Sequence, residues 1–195
     1  MTYPSFEEVV AFHGHSCPGL AIGYRAAVAA MTRLDLQRAA DEDLVAVVEN
    51  DSCAVDGFQV VTGCTFGKGN LVFRDYGKQV YTLYDRKRNQ GVRIAVHWPG
   101  IPETEEERDI WRRYLDGDRS AEVTAAVARM KERKMRVILD AEDDELFSFG
   151  PPREPVPDRA RIHATLECAV CGEKVMETRA VQVGGEVRCR PCAGP

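Results

Sequence analysis

Residues 44–63 read LVAVVENDSCAVDGFQVVTG, and three successive local structures follow from them. The run 44–49 is apolar and rich in β-branched residues, the pattern of a buried strand. Asn50, Asp51 and Ser52 carry short polar side chains that close turns and cap helices. Helical sequence then extends from Cys53 to about Gly63. A strand that turns directly into a helix commits the chain to a mixed architecture.

The flanking sequence extends this pattern. Ser5 and Glu8 have the spacing of a capping box ahead of a first helix carrying Val9, Val10 and Phe12. A second helix is expected over 18–34, where Leu20, Tyr24, Val28, Met31 and Leu34 recur at helical spacing as a core stripe. After a glycine break at 67–70, three strands are expected over 71–74, 79–84 and 92–97. Their turns fall at Asp75-Tyr76-Gly77 and Asn89-Gln90-Gly91. Helix, strand, helix and three strands make an α+β core, an α-β-α-β-β-β order with helices on one face of a sheet. Residues 102–136 turn helical again, with Thr104 and Glu107 as a second capping box and Ser120 as a further cap. Residues 150–158 hold four prolines, too many for a helix or central strand, and are read as a stiff linker. The expected organisation is a core domain over 1–149, the linker over 150–158 and a small unit over 159–195.

Composition narrows the function classes. A net charge of −5 over 195 residues argues against a dominant nucleic-acid surface. No apolar run approaches the roughly 18 residues that span a bilayer. The first residues lack the basic and apolar regions of a signal peptide, so a cytoplasmic location is expected. In that compartment seven cysteines are better read as metal ligands or reactive thiols than as disulfides.

The cysteines fall into two groups. Cys168-x2-Cys171 and Cys189-x2-Cys192, separated by seventeen residues, have the spacing of a zinc ribbon. Two tight knuckles would supply four thiolates to one tetrahedral ion, with a hairpin turning at Gly184-Gly185 between them. Zinc is the expected ion, with iron as the alternative. The metal would supply most of the folding free energy of so short a segment. Its basic excess is slight and it lacks an aromatic stacking platform, so a protein-docking module or a simple dimer element is favoured over nucleic-acid binding.

The second group is upstream. Residues 13–20, HGHSCPGL, place two imidazoles and a thiol ahead of a helix. Pro18 suits the first helical position, which makes Cys17 the N-cap. Cys53 repeats that placement at the next helix, so the helix dipole is expected to acidify both thiols. If the sheet brings the helix ends together, His15, Cys17, Cys53 and Cys64 surround one ion, with His13 as the alternative imidazole. Zinc or another transition metal would suit these donors. Asp56 would orient a ligand or act as a base; Cys17 and Cys53 are the candidate nucleophiles. In 62–70 the spacing of Gly63, Gly67, Lys68 and Gly69 fails the phosphate-loop pattern, leaving a small-anion nest or a plain turn. His97 and His163 are weak ligand candidates.

Residues 13–25 (HGHSCPGLAIGYR), 48–59 (VENDSCAVDGFQ) and 62–71 (TGCTFGKGNL), with Asp75-Tyr-Gly-Lys78, resemble the FmdE family of formylmethanofuran dehydrogenase proteins. The resemblance covers roughly 5–100, and the terminal ribbon matches longer members. It implies a core similar in topology to the catalytic domain of glyceraldehyde-3-phosphate dehydrogenase. It also implies zinc in the ribbon, a His/Cys metal cleft near a homodimer interface, and association with a molybdenum- or tungsten-dependent complex that reduces carbon dioxide to formylmethanofuran. The chain has no cysteine run spaced for iron–sulfur clusters, so the main redox chemistry would lie in other components of that complex. Three functions follow: a metal-binding accessory protein of such a system, a stand-alone metal- or thiol-dependent enzyme using Cys17 or Cys53, and a ribbon-bearing regulator of nucleic acid or polymerase.

Overall fold

The structure is a computed structural model that describes residues 3–38 and 40–194. The chain divides into two compact units, the first ending at Arg159 and the second beginning at Ala160.

In the first unit, α1 (Phe6–His13) opens with the expected capping box: Ser5 accepts from the Glu8 N–H, and Glu8 accepts from the Ser5 N–H at 2.7 Å. Gly14, at φ 90°, ends it in a left-handed conformation that costs a glycine nothing. The chain then turns through Cys17 into α2 (Pro18–Arg33). Next come β1 (Leu44–Val48), α3 (Ala54–Thr62), β2 (Leu71–Phe73), β3 (Val80–Asp85) and β4 (Gln90–Val96). The long helices α4 (Glu105–Leu115) and α5 (Ala121–Asp140) follow, then the short α6 (Asp143–Leu146) and β5 (Phe147–Gly150). The strands form one sheet in the order β2-β1-β3-β4-β5, parallel between β1 and β2 and antiparallel elsewhere. The strand β5 lies outside the sequence expectations. Its four residues, FSFG, are too few to show a period, and only pairing of Ile94 with Phe149 and Val96 with Phe147 makes it a strand.

The pleat sorts the side chains. Leu44, Ala46 and Val48 on β1, Tyr81 and Leu83 on β3, and Val92 and Ile94 on β4 join the main core with the helices. Val45, Val47 and Tyr84 face the other way, where Val156 packs on them. Residues 150–158 are therefore a strap on this second face. The Tyr84 hydroxyl donates to the Glu154 carbonyl at 2.9 Å, and Arg86 donates to the carbonyls of Pro157 and Asp158. Prolines suit the strap because it needs no ladder hydrogen bonds of its own.

On the helical face, α2 and α3 approach at backbone contact. A Cβ on Gly23 would lie 1.9 Å from the Ala54 carbonyl oxygen, so no larger residue fits. Arg25, on the same helix, donates to the carbonyls of Ile138 and Leu139 at 2.7 Å and of Ala141 at 2.6 Å. A cation there satisfies the free carbonyls and negative dipole end of α5, and Asp143 pairs with it at 3.0 Å.

The second unit has β6 (Thr165–Glu167) paired with β7 (Lys174–Met176), then β8 (Ala180–Val183) paired with β9 (Glu186–Cys189), and a closing turn of helix, α7 (Arg190–Ala193). The Gly184-Gly185 turn forms as expected, both glycines at positive φ. Among the described residues of this unit, Cys168 alone is buried. No helix among the described residues is long and apolar enough to cross a membrane.

The Gly23→Ala substitution tests the α2/α3 contact. Its methyl meets rigid backbone, so a loss at or above the upper end of the usual overpacking cost, about 3 kcal/mol, is expected in urea unfolding. A change below about 0.5 kcal/mol would show that the helices do not approach this closely.

Candidate metal centre

The α2/α3 contact sets two helix N-termini side by side. Cys17 is the N-cap of α2, and its Sγ accepts the Leu20 N–H at 3.4 Å. Cys53 is the N-cap of α3. Its position is fixed from the sheet by Asn50, which is buried at the end of β1. The Asn50 amide donates to the Lys78 carbonyl at 2.8 Å, while its oxygen accepts from the Ser52 N–H and hydroxyl. The turn expected at 50–52 is thus built by one side chain that bridges two strand ends.

His13, His15, Cys17 and Cys53 each present a donor atom, and all four donors lie within 4.8 Å of one another. Metal–ligand distances of about 2.0–2.3 Å put tetrahedral donors roughly 3.3–3.8 Å apart, so the set is within about an ångström or slightly more of that geometry. Both histidines belong to the cluster; their rings lie 4.5 Å apart, centroid to centroid. His13 Nδ1 sits 2.7 Å from Asp56 Oδ2. Its Nε2 is buried and has no hydrogen-bond partner among the described residues. A carboxylate on one ring nitrogen and an orphaned buried nitrogen on the other is the arrangement of an oriented metal ligand. Two imidazoles and two thiolates suit zinc or another borderline-soft transition ion. Asp56 stands behind the ligand, orienting it, and not in the cluster itself.

Two expectations for this region change. Cys64 is not part of the cluster. It follows the C-terminal cap of α3, a full helix away from Cys53, and is buried in the core. Burial pushes its thiol up to about 11, the state of a small apolar side chain. The helix that carries Cys53 to the site therefore carries Cys64 away from it. The second change concerns acidity. Burial, followed by the adjacent Cys17 thiol, raises Cys53 above the ordinary thiol range. Its backbone is helical and its sulfur takes no capping hydrogen bond, so the dipole alone does not acidify it.

Clefts open on both sides of the cysteine pair. One, of about 450 Å³, is lined by His13, Asp51, Cys53, Asp56, Phe66 and Phe73. The other, of about 250 Å³ and mostly apolar, is lined by Cys17, Ile22, Cys53, Trp98 and Ile138 with Lys134 at its edge. The glycine-rich loop 62–70 forms no open nest. The Thr65 N–H is taken by Asn70 Oδ1 at 2.9 Å and the Lys68 N–H by Thr65 Oγ1 at 3.3 Å. His97 and His163 lie outside the donor clusters.

In the second unit Cys168, Cys171, Cys189 and Cys192 converge within the same 4.8 Å limit. Backbone N–H groups of Cys171 and Cys189 pull Cys168 down to about 6, while the thiols of Cys189 and Cys171 push Cys192 up to about 12. Four thiolates this close repel one another unless a divalent cation lies among them, and tetrahedral zinc meets that requirement.

Two variants test this geometry. Asp56→Ala is expected to weaken the core ion roughly 10- to 100-fold against a chromogenic chelator, with the ribbon ion as internal reference. Equal retention of both ions would remove the orienting role. Cys64 tests the opposite assignment. Its folded pKa lies above the free-thiol value of 9.0, so the unfolded chain loses this proton first as pH rises. The stabilising effect is full below pH 9 and fades towards pH 11, a fall of about 2–3 kcal/mol. Cys64→Ala should flatten that part of the alkaline stability curve and leave the metal content unchanged. Loss of an ion in that variant would return Cys64 to the site.

Comparison with known proteins agrees with this architecture. The family described as "FmdE, Molybdenum formylmethanofuran dehydrogenase operon" matches residues 12–148. That described as "Prokaryotic dksA/traR C4-type zinc finger" matches residues 162–195. The chain is 33% identical over 190 residues to a "Probable S-adenosyl-L-methionine-binding protein" of Archaeoglobus fulgidus. That alignment covers 94% of this chain and 50% of the relative, so the chain spans about half that protein's length. Among solved structures it resembles a tungsten formylmethanofuran dehydrogenase FmdE-like protein from Syntrophus aciditrophicus. The TM-score is 0.59 at 21% identity, covering 100% of this chain and 97% of that one, a likeness of fold. With the family signature spanning most of the α+β unit, the chain belongs to the FmdE family and carries a dksA/traR-type zinc finger at its C-terminal end.

Proposed function

We propose that this chain is a two-centre metalloprotein acting as an accessory component of a molybdenum- or tungsten-dependent formylmethanofuran dehydrogenase type system. Its core would hold one transition ion, zinc by the chemistry of the donors, on His13, His15, Cys17 and Cys53. Its C-terminal finger would hold a structural zinc on Cys168, Cys171, Cys189 and Cys192. The observation that carries the core centre is the convergence of four donors around an orphaned His13 Nε2 with Asp56 behind it. Four protein donors favour holding or delivering an ion over activating water, because a catalytic zinc keeps a coordination position open. The link to formylmethanofuran dehydrogenase rests on family membership.

A second reading draws support from the 450 Å³ cleft. Its charged walls are the carboxylates of Asp51 and Asp56, with the exposed rings of Phe66 and Phe73 beside them and no lysine or arginine in the lining. Aromatic rings and carboxylates suit a cationic ligand with a flat ring system, and S-adenosylmethionine, named for the Archaeoglobus relative, is one. In this reading the centre is that of a stand-alone enzyme or sensor, with Cys53 in the wall of the cleft and Cys17 next to it.

Metal analysis of the purified chain tests the centres. Two zinc ions per chain are expected, with Cys17→Ser losing one and Cys168→Ser the other. A single ion insensitive to Cys17→Ser would overturn the core centre. Co-purification with the other dehydrogenase components, reduced by Cys17→Ser, is expected of the accessory role. Saturable S-adenosylmethionine binding without such association would favour the second reading.

A further inference from the structure

The stretch Asp75-Tyr76-Gly77-Lys78 takes no part in the metal centre. It lies at the opposite face of the sheet, where a cavity of about 110 Å³ opens between β1, β3 and β4 and the strap. Arg74, Lys78, Arg93 and Arg153 line it, against the carboxylates of Glu49 and Glu154. Arg93 projects from the middle of the sheet and reaches Glu49 at 3.4 Å, both side chains largely buried. Arg74 reaches Glu154 at 3.7 Å. These pairings leave Lys78 and Arg153, and among the described residues no carboxylate pairs with either. The strap fixes the far wall, because Tyr84 holds the backbone of Glu154, the residue after Arg153. Lys78 is fixed from below, its N–H donating to the Glu49 carbonyl and its carbonyl accepting from Asn50.

We propose that this cavity is a binding site for a small tetrahedral oxyanion. Two positive charges without carboxylate partners match a dianion, while Arg93, held by Glu49, adds a fixed donor and Arg74 a further charge. The volume decides the ligand class, being well under the roughly 300–1,000 Å³ of pockets that enclose organic molecules. Phosphate, sulfate, molybdate and tungstate share the required shape and charge. The site is separate from the His/Cys centre and needs no ion there.

Titration calorimetry of the zinc-loaded full chain with each of the four sodium salts, at constant ionic strength, tests this. One oxyanion per chain is expected, weakened at least tenfold in both Lys78→Ala and Arg153→Ala. Both residues are exposed, so these variants should fold. Cys17→Ser should bind the oxyanion as the unmodified chain does, which separates this site from the metal centre. Preference for phosphate would mark a phosphoryl ligand, and preference for molybdate or tungstate a metal oxyanion; either supports the site. Absence of saturable binding by all four salts, or affinities unchanged in both variants, would overturn it.

Discussion

The first unit depends on one close approach, that of α2 to α3 at Gly23 and Ala54. Helices that touch through backbone cannot slide or rotate without a clash, so their ends are fixed relative to one another. Because both helices start on the same side, their N-caps become neighbours. Cys17 and Cys53, thirty-six residues apart in sequence, are brought together by a contact that contains neither. The buried stripe of Leu20, Ala21, Ala27 and Met31 on α2, with Phe58 and Val61 on α3, presses this pair onto the sheet. The site is therefore positioned by the apolar core, and its own donors contribute little to that placement.

This arrangement also explains the division of labour among the polar groups. A thiolate pair brought together by packing alone would be unfavourable, since burial and mutual repulsion both resist ionisation. The raised Cys53 thiol expresses that cost. The imidazoles next to the pair bring donors without added negative charge, and Asp56 directs one of them while staying half-exposed. A divalent cation held there would complete the balance.

Much of the fold was legible because its signals are local. The capping boxes at Ser5 and Thr104, Cys17 before Pro18, and the 50–52 turn all depend on residues within four positions of one another. The strands 44–48, 80–85 and 90–96 show themselves by apolar runs or alternation. What stayed hidden is set by tertiary contact. The strand Phe147–Gly150 exists only through pairing with β4, and the proline stretch reads as a linker until Tyr84 and Arg86 are seen to hold it. The same division governs the site. The spacing of His15, Cys17 and Cys53 with two helix starts was readable. Whether Cys64 turned inward or towards the cluster depended on the length of α3, which carries it to the far end. The link from Asp56 to His13 spans forty-three residues, and no sequence period encodes it.

The two donor clusters stand in different relation to folding. The second unit buries one described residue, Cys168, and its paired strands are three or four residues long. Hairpins so small are marginal in water, so the four thiolates and their cation must supply the cohesion that apolar burial supplies elsewhere. The core donors instead lie on helices already held by Leu20, Phe58 and their neighbours over a five-stranded sheet. There the packing places the donors by itself, so the binding energy of any ion held by them need not be spent on folding. An ion held in such a half-exposed site beside two clefts could be taken up or handed on without unfolding its host. The two clusters thus differ in kind: the finger's donors must organise their own unit, while the core donors lie on elements that apolar packing already organises.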